Sequence, residues 1–129
     1  MRLTILVLLG VSCIPAMAQC PIEPRAALTD SAGKHLTIRY YNPGPRVVRD
    51  VHFVVKNSEQ GQENQLVIAN FAAKAILFPR KEEKQIFSNP ANVLANSGLE
   101  VEVRHVSFAD RSTWTAPHEN PCRAPLTQQ

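Results

Sequence analysis

The sequence predicts an all-β domain, an antiparallel β-sandwich of about seven strands with one short helical turn. Short segments alternate apolar and polar residues with the period of two that puts successive side chains on opposite faces of a strand. Clusters of Pro, Gly, Asn and Asp break the chain between those segments at short intervals. No helical pattern alternates with the strands, as a parallel sheet would require. A chain of 129 residues holds one domain, and a hydrophobic content of 44% supports a core. There is no internal repeat.

The first residues concern export rather than fold. Met1-Arg2 is a short positive start, Leu3–Val11 is an apolar run too short to cross a bilayer, and Ala16-Met17-Ala18 offers small residues to a signal peptidase. Residues 1–18 are therefore expected to be a secretory signal peptide, cleaved between Ala18 and Gln19, with 19–129 as the mature domain. The protein is expected to be secreted or periplasmic. Leu9-Gly10-Val11-Ser12-Cys13 loosely resembles a lipoprotein box, but Gly10 stands where Leu is usual, so no lipid anchor at Cys13 is expected. No other stretch is long and apolar enough to span a membrane.

Cys20–Leu28 is broken by Pro21 and Pro24 and suits a short edge strand near its end. Thr29–Lys34 is a turn. In His35–Tyr41, Leu36, Ile38 and Tyr40 share one face, with Thr37, Arg39 and Tyr41 on the other. Asn42-Pro43-Gly44-Pro45 ends that strand, because neither proline donates to a ladder. Arg46–Lys56 follows, with Val51, Phe53 and Val55 on one side and Val48, Asp50, His52, Val54 and Lys56 on the other. The Pro/Gly break suits a crossing between sheets rather than a hairpin, placing Ile38 and Phe53 on opposing walls of one core.

Asn57–Gln65 is a polar loop. Leu66–Phe78 fits either a helical stripe or two short strands; its β-branched residues favour strands. Pro79–Lys84 is a charged turn and Gln85-Ile86-Phe87 a short strand. Asn89-Pro90 followed by Ala-Asn-Val-Leu, with Gly98 beyond, has the N-cap, first-turn proline and terminal glycine of one helical turn. Leu99–Ala109 alternates strictly, Leu99, Val101 and Val103 inward and Glu100, Glu102 and Arg104 to solvent. Val106 and Phe108 then continue on the other parity, a slip that a β-bulge repairs. Ser112–Thr115 is a last strand, and Ala116–Gln129 is a polar, Pro-rich tail held only by Cys122.

Of three cysteines, Cys13 falls in the signal. In an oxidising compartment Cys20 and Cys122 are natural partners, with intermolecular pairing or a reactive thiol as the competing readings. The chain has no C-x-x-C pair, which disfavours an oxidoreductase.

Tyr41–Val51 resembles a pattern of secreted bacterial immunoglobulin-like domains: a strand, Asn-x-Gly, a few residues, then a polar residue and Val opening the next strand. Ala75–Phe87 is similar to their apolar strand, Pro-Gly turn and following strand. Val106–Trp114 is similar to the terminal F-x-D-G-x-x-W hairpin of small exported β-sandwich proteins of unknown function. Arg80 and Arg111 stand where those turns carry Gly. The resemblance implies an immunoglobulin-like β-sandwich, with a Cys pair that joins the termini instead of the two sheets. It implies no activity.

Chemistry is sparse. Asp50 and His52 share a strand face, and His105 on another strand would complete a divalent-metal site if the strands were neighbours. No metal-binding spacing supports it, so neither metal nor cofactor is expected. Ser58, Ser107 and Ser112 lack a nucleophile elbow. Glu82-Glu83 and Glu100/Glu102 are carboxylate pairs of an ordinary charged turn and strand face. Tyr40 and Trp114 suit packing; Tyr41 points away from Leu36 and Ile38. Glu100, Glu102 and Arg104 suggest a charged sheet edge that resists pairing. A net charge of +3 with Lys and Arg scattered argues against nucleic acid. The expected function is non-enzymatic: protein binding, or a structural or accessory role in the cell envelope, with an unidentified protein partner. The alternative is a small secreted metal-binding protein or hydrolase.

Overall fold

The computed structural model describes residues 20–57, 67–88 and 98–128. The signal peptide with its Ala18/Gln19 junction, Cys13, Ser58 and the helical turn after Asn89 lie outside the described residues.

The described residues form eight strands: β1 (Glu23–Thr29), β2 (His35–Tyr41), β3 (Val48–Asn57), β4 (Val67–Ala73), β5 (Glu82–Ser88), β6 (Leu99–Phe108), β7 (Thr113–Thr115) and β8 (Arg123–Gln128). They run in the order β4-β3-β6-β8-β1-β2-β5, with β7 beside β6, as a mixed and nearly barrel-shaped sheet. The outermost strands approach through Phe71 on β4 and Phe87 on β5, whose ring centroids are 5.0 Å apart. This corrects the expectation of a purely antiparallel sandwich of seven strands. Leu66–Phe78 resolves into strand β4 followed by an extended run in which Leu77 bridges Val48.

The mixed sense has a covalent cause. Cys20 and Cys122 form a disulfide, with their Cα atoms 5.6 Å apart. One cysteine lies just before β1 and the other just before β8, so the two strands leave one point in the same direction. They pair in parallel, Ala27 with Leu126 and Thr29 with Gln128. Two expectations change with this. The β1 segment is an interior strand, not an edge, and the tail expected to hang from Cys122 is itself a strand.

β2 and β3 do not pair with each other. β2 lies between β1 and β5, and β3 between β4 and β6. The chain crosses at Asn42–Pro45 as expected, and the Tyr40 and Phe53 rings meet edge-on at 5.3 Å. Leu36, Ile38 and Tyr40 fill the core from one side; Val51, Phe53, Val55, Val101, Val103 and Val106 fill it from the other.

Three register shifts each pass over an arginine: Arg25 in β1, Arg49 in β3 and Arg104 in β6. A bulge inserts one unpaired residue and reverses the parity beyond it. At Arg104 this lets Val103 and Val106 both face the core, as the sequence slip requires. At Arg49 it turns Val48 inward, against the expectation that Val48 shares a face with Asp50. Val48 is fully buried.

Glu102 also departs from expectation. It lies on the outer face of β6 but is only 3% exposed. Lys56 Nζ stands 3.3 Å from its carboxylate and Arg104 Nη2 3.4 Å. Alternation fixes the face a side chain takes; the long neighbours that fold over it decide whether it stays wet.

Candidate functional site

The sequence's one chemically suggestive set lies on the outer face of β3, β4 and β6. Registry places His52 opposite His105 and Asp50 opposite Ser107. The two imidazole centroids are 5.7 Å apart, nearly perpendicular. Asp50 Oδ1 is 3.8 Å from His52 Nε2, beyond hydrogen-bonding range. His105 Nδ1 lies 3.2 Å from the Thr115 hydroxyl. The strands are therefore neighbours, as a metal site would need. Among the described residues, however, no three His, Cys, Asp or Glu side chains converge on a point where an ion would sit.

What the neighbouring strands do build is a hollow of about 230 Å³. Its walls include His52, His105, Arg104 and Asn70, and Val54 and Ala72 also line it. Val54 is 5% exposed although it faces outward. Arg104, which the register skips between Val103 and His105, lies on the hollow's wall. The guanidinium beside it is half committed to Glu102.

Asn120 secures this region from behind. The chain between β7 and β8 leaves the edge of β6, and the Asn120 carboxamide replaces the missing backbone. Its Nδ2 donates to the Val103 carbonyl at 2.8 Å, and its Oδ1 accepts from the Cys122 amide at 2.9 Å. Nothing in the sequence marked Asn120, since a lone Asn between Pro117 and Pro121 reads as a turn.

The other candidates disperse. Ser112 donates its hydroxyl to Asp110 and accepts from Arg46 at 2.8 Å, with no imidazole in the set. Those Ser112 bonds hold the Asp110 carboxyl below its usual range. Glu82 pairs with Arg25 and Arg39, and Glu100 with Arg123. Tyr41 is capped on the outer face by the Arg25 guanidinium, 3.8 Å from its ring centre. Trp114 packs half-buried against the core. Tyr40 is fully buried, and among the described residues its hydroxyl makes no hydrogen bond of ordinary geometry. Burial, then the Glu83 charge opposite it on β5, pushes its pKa up to about 12, against a smaller downward pull from Gln85.

The charged strand expected at an edge, β6, is interior, between β3 on one side and β7 and β8 on the other. Among the described residues, the open edges belong to β4 and β5. They differ in chemistry. β5 opens with Glu82, Glu83 and Lys84. β4 reads VIANFAA, with no charge at all, and exposes Val67, Asn70 and Ala72. No helix among the described residues is long and apolar enough to cross a membrane. Neither a protein-family model nor a curated protein matches this chain.

Proposed function

We propose that the protein is an exported immunoglobulin-like domain, without enzymatic activity, that binds an extended segment of a partner protein along the outer edge of β4. One observation carries this reading: β4 is an uncharged edge strand, and no strand among the described residues pairs with its outer side. Such an edge presents a row of backbone donors and acceptors to an incoming strand. Proteins that avoid such pairing place charge there, as β5 does. Asn70, Phe71 and Ala72 belong both to this edge and to the hollow, so a strand added to β4 would lie next to the hollow's β4 wall. Main-chain pairing would supply affinity, and the hollow would select one side chain of the guest. The Cys20–Cys122 disulfide fits an oxidising compartment, and the inter-sheet crossing at Asn42–Pro45 fits the immunoglobulin-like resemblance.

The test is affinity capture from an envelope extract, comparing the parent with Asn70→Lys and Ala72→Lys. Both positions are exposed, so the fold should survive. The reading expects a stoichiometric partner with the parent and at least a tenfold loss with each variant. Equal recovery by all three would contradict it, as would turnover of a substrate without any partner.

A further inference from the structure

Beyond the end of β4, its link to β5 displays an arrangement that strand addition does not use. From Lys74 to Arg80 the exposed positions alternate: Lys74, Ile76, Phe78 and Arg80 face solvent, while Leu77 is buried. Ile76 is 61% and Phe78 58% exposed. Lys81 is exposed beside them, and residues 74–81 contain no acid. The row is therefore cationic at both ends and apolar in the middle.

This link is held in place. Leu77 exchanges both backbone hydrogen bonds with Val48, the Arg80 amide donates to the Asn42 carbonyl at 2.8 Å, and the Asn42 amide donates to the Lys81 carbonyl at 3.0 Å. Two large apolar side chains are thus kept in water by a fixed backbone. Glu82 and Glu83 follow Lys81 directly, but the Glu82 carboxylate is already paired with Arg25 and Arg39. Val48 also pairs with Phe108, and the Ala109 amide donates to the Val47 carbonyl, which sets the turn bearing Arg111 and the exposed Arg46 alongside. The Asp110 carboxylate there is engaged by Ser112.

We infer that this link is a membrane-surface contact, in which Ile76 and Phe78 enter the headgroup region of an anionic bilayer and Lys74, Arg80 and Lys81 meet its phosphates. Exposed apolar side chains flanked by cations bind in this way, with strength that depends on apolar burial and on anionic lipid. An acidic protein would satisfy the cations, but it would need a receptive depression for the two apolar side chains. None of residues 74–81 lines the hollow described above.

Vesicle co-sedimentation tests the inference, with parent and variants prepared in one form. Vesicles of equal parts phosphatidylcholine and phosphatidylglycerol should bind the parent about tenfold better than phosphatidylcholine alone, less so as salt rises. The pair Ile76→Ser and Phe78→Ser should weaken binding at least about tenfold, and the pair Lys74→Glu and Lys81→Glu similarly. The pair Ile76→Ser and Phe78→Ser should leave partner capture unchanged, which separates this contact from the β4 edge. Unchanged melting would show that the variants fold. The inference is overturned if the two vesicle types bind alike or if the variants bind as the parent does. It is equally overturned if the loop proves to capture an acidic protein while vesicles fail to bind.

Discussion

The Asn42 side chain donates to the carbonyl of Leu77 at 3.2 Å, joining the corner after β2 to the link between β4 and β5. The same carboxamide donates to the Arg46 carbonyl at 2.8 Å and accepts from the Gly44 amide at 3.1 Å. Asn42 is 1% exposed. It thus fixes the turn that lets the chain cross from β2 to β3 and ties that turn to the neighbouring link between β4 and β5.

Asn42→Ala removes these bonds, leaving the Arg46 carbonyl and the Gly44 amide without the carboxamide while the Leu77 carbonyl keeps the Val48 amide. The expected loss is about 2–4 kcal/mol. Asn42→Asp should do no better, because a carboxylate cannot donate to either carbonyl. Urea unfolding monitored by Trp114 fluorescence checks both; a loss below about 1 kcal/mol would mean that water replaces the carboxamide.

Arg80 and Arg111 have φ of 64° and 75°, the left-handed region that an L side chain enters at a cost. Both stand where the resembling domains carry Gly. Arg80→Gly and Arg111→Gly should each stabilise the protein by about 0.5–1 kcal/mol, the relief of strain outweighing glycine's extra freedom when unfolded. Thermal melting of the single and double variants measures it, and the two gains should add.

The disulfide joins residues 102 apart. Replacing Cys20 and Cys122 by Ala together should cost about 4–5 kcal/mol in the chain-entropy description. The first local effect should fall on β8, whose parallel pairing with β1 starts from that covalent point. Hydrogen exchange should show Leu126–Gln128 losing protection before the residues of β3.

Tyr40 gives the protein an alkaline limit. Its folded pKa, about 12, lies above the ordinary 10.0. Between those values the unfolded chain releases the proton and the folded one keeps it. The stability is therefore full below pH 10 and lost as pH rises toward 12, by about 2–3 kcal/mol. Tyr40→Phe should remove that slope and, by deleting an unpaired buried hydroxyl, cost nothing near neutrality. Denaturant midpoints at rising pH compare the two.

Much of the core was readable because alternation assigns faces directly. Leu36, Ile38 and Tyr40 against Val51, Phe53 and Val55 needed only the period of two, and the parity slip after Val103 located the bulge at Arg104. β8 was not readable. RAPLTQ has no clean alternation and contains Pro125, and it becomes a strand because Cys122 tethers it beside β1. The burial of Glu102 was hidden for a related reason: Lys56 and Arg104 reach over it from positions that sequence spacing does not connect. The His52–His105 neighbourhood was legible only as a conditional, since it depends on the pairing of β3 with β6 across a long loop. The open edge of β4 was missed because edges are a property of strand order, which no single segment encodes.

The most direct test of the binding role is site-specific photo-crosslinking in the producing cell. A photoreactive residue at Ala72, on the outer edge of β4, should yield one discrete adduct. The same residue at Thr37, on the interior strand β2, should yield none. Adducts of equal yield at both positions, or none at Ala72, would contradict the assignment of β4 as the partner-binding edge.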